Sequence, residues 1–98
     1  MVVAIIDVAL HLPGVSSLKE KRGIVKGLIA RLRRELNVSV AEVGDNDEWR
    51  YCQMGVAVVA GSEIGARKVA QQVEKIVYRE HRVEAVSIAV DVTAPEPR

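Results

Sequence analysis

The chain has 98 residues, 49% of them hydrophobic, and a net charge of +1 from 14 Lys/Arg against 13 Asp/Glu. That supplies one core without staples, so the expectation is a single domain over residues 1–98. One cysteine, Cys52, excludes an intramolecular disulfide framework, the near-neutral balance excludes a chain that attracts nucleic acid as a whole, and no Cys/His group has zinc-ligand spacing.

From Val2 to Leu12 one parity reads Val2, Ala4, Ile6, Val8, Leu10, Leu12, the period-2 pattern of a strand with an aliphatic face. No basic flank precedes it and no apolar run reaches bilayer length, so the expected setting is soluble and, with one cysteine, the reducing cytoplasm. Pro13-Gly14 ends the strand. Ser17 with Glu20 three residues on is a capping box, and Leu18, Val25, Leu28, Ile29, Leu32 and Leu36 recur at helical spacing up to Asn37. Val38 to Val43 is β-branched, Gly44-Asp45-Asn46-Asp47 is turn chemistry, and Trp49 to Ala60 reads as the second arm of a hairpin.

Ser62 and Glu63 open a second helix whose apolar stripe is Ala66, Val69, Ala70, Val73, Ile76 and Val77. Val83 to Val92 alternates again, and residues 93–98, with two prolines, read as a flexible tail. The order βαββαβ predicts an α+β fold, a ferredoxin-like sandwich with a four-stranded antiparallel sheet and two helices on one face. The helix-covered face should take Ile6, Val8, Leu10, Met54, Val56, Val58, Val86, Ile88 and Val90. The opposite face should carry Val3, Ile5, Asp7, Ala9, Trp49, Tyr51, Gln53, Gly55, Ala57, Ala85, Ser87 and Ala89, a set neither polar nor core-like.

Between Lys19 and Glu35 stand seven Lys/Arg against two Glu. Lys19, Arg22, Lys26 and Arg33 are three, four and seven apart, which aligns them along one helix face that starts at a positive helix terminus. Such a stripe suits phosphates; the competing reading is a solvated face that keeps a small protein soluble. The phosphate-contact candidates are Lys19, Lys21, Arg22, Lys26, Arg33 and Arg34.

Trp49 and Tyr51 share a strand parity and could stack on unpaired bases, but the first strand offers no aromatic partner. The small residues around them instead make a flat surface for another copy, and the candidates for that oligomer or partner face are Ile5, Ala9, Trp49, Tyr51, Gln53, Gly55, Ala57, Ala85 and Ala89. Asp7, His11 and Asp91 are the titratable groups expected on that face, with no spacing that pairs them.

Other motifs fail on their own chemistry. The acidic turn Glu42, Asp45, Asp47, Glu48 has Trp49 where a calcium loop needs an oxygen ligand and Arg50 where it needs glycine. Gly14 to Lys19 lacks the second glycine and Lys-Ser/Thr of a phosphate loop. An acylphosphatase-like enzyme would need an asparagine on the third strand, whereas the asparagines are Asn37 and Asn46. No catalytic constellation, metal site or cofactor is expected.

Ser17-Leu18-Lys19-Glu20-Lys21-Arg22, Asn37-Val38-Ser39-Val40-Ala41-Glu42-Val43-Gly44 and Trp49 through Val59 together resemble the YlxP-like family of small bacterial proteins, over nearly the whole chain. The resemblance implies the same fold, a bacterial cytoplasmic origin and a connection to RNA or the ribosome, and carries no catalytic site. The leading expectation is therefore a non-catalytic protein that assists RNA or ribosome-related processes through its basic helix. The alternatives are an oligomeric protein-interaction module without nucleic acid and, third, a small-phosphate enzyme. Many arginines with few Asn, Gln and Cys fit a heat-adapted host.

Overall fold

The computed structural model describes residues 1–44 and 47–95. The expected turn at Asp45-Asn46 and residues 96–98 of the expected tail lie outside the described residues. The two aliphatic, alternating runs at either end of the chain become β1 (Val2–His11) and β4 (Glu84–Thr93), and the hairpin becomes β2 (Ser39–Val43) and β3 (Tyr51–Ala60). The stretches of helical spacing become α1 (Leu18–Glu35) and α2 (Glu63–Arg79). β4 runs one residue into the expected tail.

The strands form one antiparallel sheet in the order β2-β3-β1-β4. Each helical crossover therefore skips a strand, which is the expected ferredoxin-like arrangement. Ala4, Ile6, Val8 and Leu10 of β1 and Cys52, Met54, Val56 and Val58 of β3 point to the helices and are buried with Val25, Leu28 and Leu32 of α1 and Ala66, Ala70, Val73 and Val77 of α2. The sheet's other face stays open to solvent. No helix among the described residues is long and apolar enough to cross a membrane.

Both helix starts follow the capping signal. Glu20 N–H donates to Ser17 Oγ at 3.1 Å, and Gly65 N–H donates to Ser62 Oγ at 3.1 Å. The reciprocal half of the first box is displaced by one residue: the Glu20 carboxylate accepts from Ser16 N–H at 3.3 Å and Ser16 Oγ at 3.1 Å.

Two expectations about strand faces need correction. The β1–β4 register shifts between Ala9, opposite Ser87, and Leu10, opposite Ala85. This bulge inserts Val86 as an extra residue and reverses parity on either side of it. Val86, expected under the helices, is 62% exposed, whereas Ala85, expected on the open face, packs against the core. The second correction concerns Trp49, which lies in the turn before β3 rather than on the strand.

Candidate nucleic-acid interface on the first helix

The buried stripe of α1 dictates what its opposite side presents. Ile24, Val25, Leu28 and Leu32 face the sheet. At roughly 100° per residue the outward line then falls to Lys19, Arg22, Lys26, Arg33 and Arg34, with Gly23, Gly27 and Ala30 between them, and all of these are exposed. Lys19, Arg22, Lys26 and Arg34 make no ion pair with any described residue. Arg33 is partly committed, since its Nη2 donates to the Val40 carbonyl oxygen at 2.7 Å and ties the helix to β2. Arg31 Nε donates to Glu35 at 2.9 Å, which neutralises the carboxylate at the end of the stripe.

Lys21 does not belong to this surface. It is 0% exposed, its ammonium donates to the Glu48 carbonyl oxygen at 2.6 Å and stands 3.3 Å from Glu42 Oε1. The position is four residues before Val25 and seven before Leu28, so it sits in the apolar stripe rather than opposite it. A cation there is tolerable because a carboxylate and a carbonyl compensate its desolvation. Its long stem reaches from α1 to the segment after β2 and anchors residues 47–50 as a turn. Beyond that tie, the Arg50 carbonyl oxygen accepts from Leu12 N–H at 2.7 Å, β3 starts at Tyr51, and Trp49, 47% exposed, stands outside the sheet.

Gly23 and Gly27 have open space where a Cβ would stand, so no packing within the chain requires glycine there. Each weakens the helix by about 1 kcal/mol relative to alanine. Together they lower the outward surface of α1 between the cationic side chains.

The open sheet face gathers Ile5, Ala9, Tyr51, Gln53, Gly55, Ala57 and Ala89 as expected, with Val59 added at its end. Gln53 Nε2 donates to Asp7 Oδ1 at 2.9 Å across the pair of central strands. His11 stacks on Tyr51 with ring centroids 5.0 Å apart and meets Glu84 at 3.3 Å. Asp7, His11 and Asp91 thus have separate surroundings, and no hydrogen bond joins them among the described residues. No sequence signal points to Glu84, because its pairing with His11 depends on the bulged register.

Cys52 is buried on the helix side beside Glu42 and Lys21. Burial, and then the Glu42 charge, push its thiol up to about 11 against the opposing pull of Lys21. It is a core residue with almost no thiolate at neutral pH.

Fold and surface define the class first: a ferredoxin-like α+β sandwich with an exposed cationic helix. In keeping with that class, the chain resembles two de novo designed proteins in fold alone. One is a designed ferredoxin-fold protein, LFR1 (TM-score 0.60, 19% identity, 97% of this chain and 88% of that one). The other is Foldit4 (TM-score 0.54, 13% identity, 98% of this chain and 100% of that one). The family follows from sequence: residues 3–90 match the model described as "Protein of unknown function (DUF503)", and the chain belongs to that family. It is also 39% identical over 57 residues to "Uncharacterized protein YlxP" of Bacillus subtilis (strain 168), across 58% of this chain and 62% of that protein, so less than two thirds of YlxP's length is spanned.

Proposed function

We propose that this protein assists RNA or ribosome-related processes as a binding protein without chemistry of its own, docking on the sugar-phosphate backbone through the outward face of α1. The observation that carries the reading is the exposed line of Lys19, Arg22, Lys26 and Arg34, none of them ion-paired among the described residues, beside Gly23 and Gly27. Unpaired cations keep their full attraction for phosphate, and a surface low in side chains lets a backbone approach closely. Contacts of this kind position a partner without reading sequence. Co-sedimentation with bacterial ribosomal subunits at low and at raised salt tests it. The expected result is salt-sensitive association that Lys19→Gln/Arg22→Gln/Lys26→Gln/Arg34→Gln abolishes. Equal association of both forms would refute it.

A second reading, a protein-interaction module, is favoured by the open sheet face, where Ile5 is 50% and Tyr51 54% exposed around a small-residue centre. Loss of self-association or of partner capture in Ile5→Arg, with RNA binding intact, would select it.

A further inference from the structure

β4 is a sheet edge of ten residues, Glu84–Thr93, with no lysine or proline to discourage pairing. Its single irregularity lies at Val86, so Ser87 to Thr93 is a regular ladder with one free side. The core is also incomplete along this edge. Ile88, Val90 and Val92 face the helices yet remain half-exposed, whereas their partners on β1, Val8, Ile6 and Ala4, are fully buried.

The flank of α2 beside that edge adds a charge pattern. A groove of about 230 Å³ runs between α2 and β4, lined by Arg67, Ala70, Gln71, Glu74 and Val90. Arg67, which bonds Glu63 one turn earlier at 3.1 Å in an exposed pair that a second carboxylate can share, and Glu74 stand at equal distances in sequence on either side of Ala70-Gln71. We infer that a second copy of this chain pairs here, antiparallel, about a two-fold axis through Val90.

The register follows from the residues. Val90 opposite its own copy places Ile88 against Val92 of the second copy and Ala89 against Asp91, so apolar residues stay on the helix side and no like charges stand directly opposite each other. The same axis runs the two α2 helices antiparallel and brings Arg67 of one over Glu74 of the other, twice. Two sheets then join into one of eight strands, both helix pairs remain on one side, and the half-exposed Ile88, Val90 and Val92 are covered. This surface is independent of the cationic face of α1, which lies over the β2 side of the sheet.

The test is sedimentation equilibrium of the full chain from 1 to 200 µM at low salt. Wild type is expected to dimerise; Arg67→Glu and Glu74→Lys, both on the surface of α2, are expected to weaken the dimer at least tenfold each, and the combined reversal Arg67→Glu/Glu74→Lys to restore it. Rescue by the double reversal is a result that lost folding cannot mimic. A wild-type monomer throughout the range would overturn the inference and leave the edge to an extended segment of another protein. A dimer indifferent to both reversals but lost in Ile5→Arg would overturn it in favour of the open sheet face.

Discussion

Replacing Lys21 by methionine removes one ammonium while keeping the buried stem. The 2.6 Å bond to the Glu48 carbonyl is a charged hydrogen bond shielded from water, of the kind that contributes about 1.5–3 kcal/mol. Glu42 is 22% exposed, so its unpaired carboxylate keeps part of its hydration and adds only about 1 kcal/mol of cost. Relief of the lysine's own desolvation works the other way, and the net loss should be about 2 kcal/mol. Lys21→Ala also leaves a cavity and should cost about 4 kcal/mol. Urea unfolding followed by far-UV circular dichroism gives both values. The sole tryptophan, Trp49, follows Glu48 directly, so its emission reports release of the turn. Because Lys21 touches no solvent, the salt dependence of RNA binding should not change in Lys21→Met. A variant within about 0.5 kcal/mol of wild type, the usual range for surface changes, with unaltered Trp49 emission, would refute the anchoring role.

Three other outcomes follow from single residues. Gly23→Ala and Gly27→Ala should each stabilise the fold by about 0.5–1 kcal/mol in urea, since each Cβ meets open space, and both should weaken RNA binding; destabilisation would contradict the open-space geometry. Hydrogen bonds from Arg82 hold the Glu80 carboxyl down from 4.5 to about 2. A depressed carboxylate stabilises the fold above its unfolded pKa, so the advantage of wild type over Glu80→Gln, below about 1 kcal/mol for an exposed partner, should be full above pH 4.5 and vanish as pH falls towards 2; a pH-independent difference would exclude that origin. Cys52 should react with iodoacetamide at pH 8 only at the rate of global opening, and fast labelling of the native protein would contradict its burial.

Period-2 and 3.6-residue patterns made the fold legible because β1, β3, α1 and α2 each bury one strongly aliphatic side. The bulge was not legible: Ala85, Val86 and Ser87 are all small or β-branched, and nothing in their order marks where parity reverses. Alternation with Tyr51 reads as strand at Trp49, whereas the segment before β3 is tied to α1 through Lys21 and Glu48, a contact between distant elements with no local signature. Lys21 itself was readable. Its spacing to Val25, Leu28 and Leu32 places it in the buried stripe, although its charge alone suggests an exposed position. Of the phosphate-contact set, Lys19, Arg22, Lys26, Arg33 and Arg34 are exposed where helical geometry puts them. The tie between Arg33 and Val40 depends on the path of β2 and has no local signature.

The most direct test of the cationic-face reading is filter binding of a ribosomal RNA fragment between about 50 and 200 mM salt, for wild type and for Lys19→Gln/Arg22→Gln/Lys26→Gln/Arg34→Gln. Each lost phosphate contact on single-stranded RNA lowers the slope of log K against log salt by about 0.7, so the account predicts a wild-type slope steeper by about 3. Equal slopes and equal affinities would contradict it and leave the charge on α1 as a solvated surface.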